Sequence, residues 1–288
     1  MAVQHFTNSG VYFTCKKITM LCYRENLPEH LRFNPYIDQG YRPPMRPLQC
    51  FSSILTIHNE TLNIYTHIIA LILSISLIYT SPLREVKDLQ FIKLCHVIAT
   101  IIPWIGSIVY HTFMNVYGNK RYYNILLKAD LICIWLAQYM GGIPVVSVTI
   151  YYLPSYTKVI IGVFYWAICI WGLYKVFKVN NFIKASRFYF FLPITIRMTS
   201  VILRSTSHGG GSQSALGYVV LADLSSVIGG IINASRWPEK YFPGNFDFVF
   251  NSHNIMHLLV LLAMYWMHQV NIQDILWLSS VQITRSNV

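Results

Sequence analysis

Seven runs of about 20 predominantly apolar residues, each long enough to cross a hydrocarbon core of about 30 Å as a helix, constrain this chain more than any other feature. They cover approximately residues 62–80, 91–111, 126–149, 157–177, 187–204, 214–235 and 252–272. Inside a bilayer no water bonds the backbone, so each segment must satisfy its own N–H and C=O groups. The runs therefore predict an all-α bundle of seven transmembrane helices. Only 11% of the 288 residues are charged, less than half of the roughly 25% found in soluble domains. That excludes a soluble enzyme, a secreted disulfide scaffold and a disordered regulator. The six cysteines contain no C-x-x-C pair, and no disulfide framework is predicted. Gly141, Gly142 and Pro144 fall inside the third run and predict a break or kink there.

Charge orients the bundle. One side collects Lys16, Lys17, Arg24, Arg32, Arg42, Arg46, Lys120, Arg121, Lys175, Lys178, Lys184, Arg187, Arg236 and Lys240, and the other Arg84, Lys87, Lys158, Arg204 and Arg285. Fourteen against five predicts a cytosolic N-terminus and an extracellular or luminal C-terminus. The expected organisation is a cytosolic segment over 1–50, the seven-span domain over 51–276 and an outer tail over 277–288. The stretch Ser205 to Ser214, with three consecutive glycines, reads as a flexible outer loop. Because the cations sit in short connections, no nucleic-acid partner is expected.

Ionisable residues within spans are costly and mark functional sites by default. His253 and His257, in H-N-I-M-H at the start of the seventh run, share one helix face at a separation of four. His111 ends the second run four residues after Ser107, and Asp130 opens the third in L-L-K-A-D. The first run begins with Glu60, Asn63 and His67 at three-then-four spacing, which makes one polar stripe. The alternating topology puts all of these at the cytosolic level of the membrane. Three imidazoles, His111, His253 and His257, with one open position form the donor set of a catalytic Zn2+ rather than a closed structural one. Asp130 is placed to act as general base, and Ser107 as donor to a developing oxyanion. His67 reads as a residue bonded to Glu60 or Asn63 that orients a ligand. His96 and His268, lacking polar companions at helical spacing, read as packing histidines. The polar residues cluster at one end, which argues against a pore.

On these elements the chain resembles the progestin and adipoQ receptor family, related to bacterial haemolysin III and more distantly to alkaline ceramidases. The resemblance runs from about Leu27 to Leu276. It includes G-Y-R-P at Gly40 to Pro43, E-x-x-N-x-x-x-H at Glu60, Asn63 and His67, S-x-x-x-H at Ser107 and His111, the later Asp130, and R-W-P-E-K-Y-F-P-G-N-F-D followed by N-S-H-N-I-M-H. It implies seven helices with a cytosolic N-terminus, zinc held by His111, His253 and His257, an Asp130 that holds the attacking water, and a cavity for an acyl chain. The expected function is a zinc-dependent lipid amide hydrolase of the ceramidase type, in the Golgi or plasma membrane, acting on ceramide or a related acyl lipid. The rival expectation is a non-catalytic receptor or scaffold with a structural zinc that signals through its cytosolic loops. Acyl-chain preference, natural hormone or protein ligand and oligomeric state, a homo-oligomer included, stay open.

Overall fold

Each of the seven apolar runs forms one helix. The computed structural model describes residues 21–178 and 182–286, so Lys16 and Lys17 lie outside the described residues. A short helix, α1 (Pro47–Ser52), precedes α2 (Thr61–Thr80), α3 (Gln90–Phe113), α4 (Lys120–Thr149), α5 (Ser155–Lys178), α6 (Phe182–Arg204), α7 (Ala215–Ser235) and α8 (Ser252–Ser286). Among the described residues there is no strand, only the isolated bridges Cys22–Tyr41 and Met45–Val116. Six of the helices, α2 to α5, α7 and α8, are long and apolar enough to cross a membrane. The remaining long helix, α6, contains Lys184, Arg187, Arg197 and Arg204.

The most extensive packing is α3 along α4 and α7 along α8, with α2 closing against α3 and α8, and α5 and α6 lying on α4. Trp135, Tyr139 and Ile143 of α4 form a core with Tyr165, Cys169 and Val176 of α5. The Trp135 ring rests directly on the α5 backbone, because a Cβ at Gly172 would stand 2.2 Å from it.

The predicted break in α4 does not occur, and the helix is continuous through Pro144. Proline removes a backbone donor and loosens the preceding turn. The Tyr165 hydroxyl of α5 donates to the Tyr139 carbonyl in that turn, and Gly142 admits it, since a Cβ there would stand 2.7 Å from the Tyr165 oxygen. The carbonyl that Pro144 leaves without its helical donor is that of Met140, one residue further on, and the Tyr165 bond braces the turn beside it from a neighbouring helix.

The end of the bundle formed by the start of α3, the end of α4, the end of α6 and the start of α7 is more closely packed than the sequence suggests. Residues 277–288 were expected to form a tail, but α8 continues to Ser286. Ile275 and Leu278 are buried, Ile275 against Leu83 and Val86 of the α2–α3 connection. The glycines of the Ser205–Ser214 stretch pack against the bundle, where the Gly210 N–H donates to the Thr149 carbonyl at 2.9 Å, while Ser205 to His208, Gln213 and Ser214 are exposed. Gly211, at φ +109°, leaves no room for a Cβ over the Arg204 guanidinium. Arg204 itself, counted as an outer cation, is 1% exposed. It pairs with Asp274 through two hydrogen bonds of 2.6 and 2.9 Å, and donates to Thr149 Oγ1 and the Val145 carbonyl.

Polar residues are therefore not confined to one end. Arg197 pairs with Asp223 and donates to Gln138. His96 and His268 do have polar companions: His96 Nε2 lies 3.0 Å from His268 Nδ1, and Asn271 Nδ2 lies 3.0 Å from His96 Nδ1. The contact joins α3 to α8, and each histidine also has a polar neighbour at helical spacing that the sequence reading overlooked: Thr100, whose hydroxyl lies 3.5 Å from His96 Nδ1, and Asn271, three residues after His268.

Candidate metal centre

At the other end, four helices contribute imidazoles and carboxylates to one buried cluster. The start of α2 is fixed locally: the His58 N–H donates to Thr61 Oγ1 at 2.8 Å, and the Glu60 N–H to His58 Nδ1 at 3.1 Å. Asn251 Oδ1 accepts the N–H groups of His253 and Asn254, each at 3.1 Å, and so caps α8. The fully buried Glu239 accepts both the backbone N–H of Ser252, at 2.7 Å, and its hydroxyl, at 2.5 Å. At the end of α3, Arg42 donates to the carbonyls of His111, at 2.5 Å, and Thr112, at 3.0 Å. A cation bonded to the last carbonyls stabilises a helix C-terminus and here anchors the turn that carries His111.

Nitrogens of His67, His111 and His257 lie within 4.8 Å of one another. His253, half-buried, places its Nε2 3.1 Å from His257 Nε2. Of the three histidines expected as ligands, His111 and His257 share this group with His67, which was not expected there, whereas His253 joins it through its contact with His257. The expected bond of His67 to Glu60 or Asn63 is not formed: neither of its ring nitrogens has a hydrogen-bond partner. Glu60 Oε2 instead meets His111 Nδ1 at 2.7 Å and accepts from Asn63 Nδ2 at 2.8 Å. Asn63 Oδ1 in turn accepts from Asn254 Nδ2 at 2.6 Å, which ties α2 to α8. Asp130 Oδ1 accepts the Ser107 hydroxyl at 2.5 Å, one helical turn before His111.

The donor set fits a zinc ion. A carboxylate on Nδ1 of His111 leaves the lone pair of a neutral imidazole on Nε2, the usual way an outer partner orients a metal-binding histidine. The Thr66 hydroxyl, which donates to the Leu62 or Asn63 carbonyl, lies 3.3 Å from His257 Nδ1 and does the same there. The 3.1 Å between His253 and His257 Nε2 is close to the roughly 3.3 Å edge of a tetrahedron with zinc–nitrogen bonds of about 2.0–2.1 Å.

Two electrostatic features accompany the cluster. The Glu60 carboxyl is buried, which would raise its pKa, but hydrogen bonds from His111 and Asn63 and the Arg42 charge outweigh burial and hold it below the usual carboxylate range. Burial pushes His58 down to about 4, and the Arg42 guanidinium acts in the same direction. The sequence treated Arg42 only as an orienting charge and did not single out Glu239 or Asn254. Their one legible signal was position, within the G-Y-R-P, R-W-P-E and N-S-H-N-I-M-H strings.

The sequence pattern of haemolysin-III-related proteins matches residues 55–268. The chain belongs to this family. It is 31% identical over 259 residues to human progestin and adipoQ receptor family member 4, covering 87% of this chain and 91% of that protein. Over 256 residues it is 27% identical to the Drosophila melanogaster adiponectin receptor protein, covering 84% of this chain and 57% of that protein. Human progestin and adipoQ receptor family member 3 is 26% identical over 276 residues, with 85% and 83% covered. The haemolysin-III-related region encloses every imidazole of the cluster together with Glu60, Ser107 and Asp130, whereas Arg42 precedes it.

Proposed function

We propose that this haemolysin-III-related membrane protein is a seven-span zinc hydrolase of lipid amides of the ceramide type, with its N-terminus and metal centre at the cytosolic side of the Golgi or plasma membrane. The observation that carries this reading is the Ser107–Asp130 pair set one turn from a buried cluster of imidazoles. Bound zinc supplies Lewis acidity and makes water available as a nucleophile near neutral pH. His111, His253 and His257 hold it, with Glu60 and Thr66 fixing two of the rings. Asp130 takes the proton of the attacking water and returns it to the leaving amine. The Ser107 hydroxyl, now given to Asp130, turns to the oxygen of the scissile carbonyl as charge develops there. Apolar helices around the cluster suit an acyl chain and exclude bulk water. The distribution of cations, fourteen against five, supports the cytosolic placement.

The test is zinc content by mass spectrometry on detergent-purified wild type and His257→Ala, with sphingoid-base release from ceramide assayed on the same samples. Near-stoichiometric zinc that is lost in the variant together with turnover is the expected result. An Asp130→Asn variant that binds zinc and keeps full activity removes the assigned base. Zinc without any turnover favours the second reading, a receptor or scaffold whose zinc is structural, and the presence of a further imidazole, His67, beside His111 and His257 is the observation on its side. A wild type without zinc overturns both.

A further inference from the structure

We infer that the short segment leading into α2 is a docking surface for anionic phospholipid, laid flat in the membrane leaflet at the metal-centre end. The surface is independent of the hydrolase reading. α1 (Pro47–Ser52) and the single 3-10 turn after it (Ser53–Leu55) are amphipathic with the sides reversed from what a water-facing helix needs. Cys50 and Ser53 face the protein and are buried. Leu48, Phe51 and Leu55, three and then four residues apart, share the outer face. Leu48, Phe51, Leu55 and the following Ile57 are 78%, 61%, 84% and 76% exposed. Because α2, long and apolar enough to cross the membrane, starts at Thr61, this bare apolar face stands at the edge of the hydrocarbon, where lying in the leaflet removes it from water.

Charge selects the lipid. Residues 42–59 and 112–129 contain no aspartate or glutamate. The two stretches are joined, because the Met45 N–H donates to the Asn115 carbonyl at 3.1 Å and the Tyr117 N–H to the Met45 carbonyl at 2.8 Å. Of their cations, Arg42 is buried on the carbonyls at the end of α3, and the half-buried Lys128 reaches the Phe177 carbonyl. Arg46, Lys120 and Arg121 are exposed, and among the described residues none of the three forms an ion pair. The exposed carboxylates of the N-terminal segment, Glu25, Glu29 and Asp38, all precede Gly40. An apolar face rimmed by cations without counter-ions fits a leaflet whose headgroups carry net negative charge better than a zwitterionic one.

Two aromatic rings continue the surface. Tyr117 sits in the left-handed region at φ +53°, which a bulky residue rarely adopts. Its ring is exposed, 6.4 Å from that of Tyr122, and tyrosines so placed anchor a protein at the membrane–water interface. Behind the surface, Ser53 Oγ accepts from Arg42 at 2.9 Å, so the lipid-facing segment and the turn that carries His111 share one buried arginine.

The experiment uses full-length protein in nanodiscs of equal parts phosphatidylserine and phosphatidylcholine. Native mass spectrometry counts the lipids retained by the wild type and by a variant combining Arg46→Gln, Lys120→Gln and Arg121→Gln, and an apolar photoreagent and hydroxyl radicals map α1 in the wild type. A basic side chain near an anionic surface strengthens attachment about fivefold. The wild type should therefore retain phosphatidylserine in clear excess, the variant should lose most of that excess, and raised salt should reduce it. Residues 47–57 should take the photoreagent and resist the radicals. Equal retention of the two lipids by the wild type, or an excess unchanged in the folded variant, overturns the proposal. Radical labelling of Leu48, Phe51 and Leu55 puts the face in water and overturns it too. Protection from both reagents means that a protein, such as a second copy of the chain, covers the face in place of lipid, and this also overturns it. The wild-type lipid count and labelling keep the test decisive if the variant fails to fold.

Discussion

The bundle contains two buried histidine clusters, and they differ in whether their nitrogens are used. At the end formed by the end of α3 and the starts of α2 and α8, His67 has two idle nitrogens among three other imidazoles. Toward the opposite end, His96 is bonded through both of its nitrogens, to His268 and to Asn271. Close by, the Arg204–Asp274 pair is completed by Thr149 and the Val145 carbonyl. Although Asn271 Oδ1 is left without a partner, the imidazole and guanidinium nitrogens here are bonded across helices, which makes this cluster a clamp. A buried cluster that leaves its members unserved is built around something else. The two ends therefore carry different work, adhesion at one and ligation at the other, although both are made of the residue types most costly to place in a membrane.

The sharpest way to break this contrast is to destroy the clamp and look at the centre. Arg204→Leu leaves Asp274 charged and buried without its partner, and breaking one side of a buried pair costs about 3–5 kcal/mol. A large drop in melting temperature is expected, while the folded fraction keeps wild-type zinc content, because distant sites act independently. Zinc lost in proportion to stability in the folded fraction would mean that the two ends form one unit. The converse variant is Glu60→Gln. It keeps the shape at His111 Nδ1 but removes the carboxylate that orients the ring, which should weaken zinc binding by about 10- to 100-fold. Chelator competition measures that loss. An affinity unchanged from wild type would make the Glu60–His111 contact a packing feature.

This division of labour was only half visible in the sequence. The helices were legible because each apolar run declares itself, and their observed limits depart little from the runs except at α8. That helix extends through Asp274 and Leu278 because Arg204 and the α2–α3 connection cover it, partners that no local pattern announces. Most of the candidate metal-centre residues stood out because they repeat at three or four residues along their own helix, as Ser107 and His111 do, and Asp130 because it is a lone carboxylate opening an apolar run. The clamp was missed because its decisive contacts run across the bundle, although Thr100 follows His96 by four residues and His268, Asn271 and Asp274 repeat at three along α8. The place of His67 was misjudged on the same principle. Glu60 and Asn63 are its neighbours along α2, yet they turn to α3 and α8.

The adhesive half of the comparison can be sharpened at a single bond. His268→Leu removes the acceptor of His96 Nε2 and leaves that N–H buried. Hydrogen bonds between transmembrane helices contribute about 0.6–2 kcal/mol, so a loss of that size is expected in thermal or denaturant unfolding, with zinc content unchanged. His268→Gln, which can still accept, should recover part of it. If the Leu variant lost zinc as well, the clamp would be setting the register of α3 against α8 at the metal centre. Adhesion and ligation would then be coupled through those two helices.

The smallest effect lies beside the metal centre and outside the spans. His58 donates from Nε2 to the Ser53 carbonyl and accepts the Glu60 N–H on Nδ1, so the folded chain needs it neutral. Its pKa is lowered from 6.5 to about 4, first by burial and then by Arg42. The unfolded chain therefore binds a proton below about pH 6.5 that the folded chain does not take up until about pH 4. Stability contributed by neutral His58 is complete above 6.5 and is lost as pH falls through that window, with a limiting slope of about 1.4 kcal/mol per pH unit. In the metal-free protein, the melting temperature of the wild type should fall from pH 6.5 to 5.5 more steeply than that of His58→Gln. Using metal-free protein matters, because zinc ligands shed metal in the same range and would add their own slope. Equal slopes in the two proteins would place the proton uptake elsewhere. A slope confined to the wild type would identify the segment leading into α2 as the one part of the centre whose order responds to acid without metal.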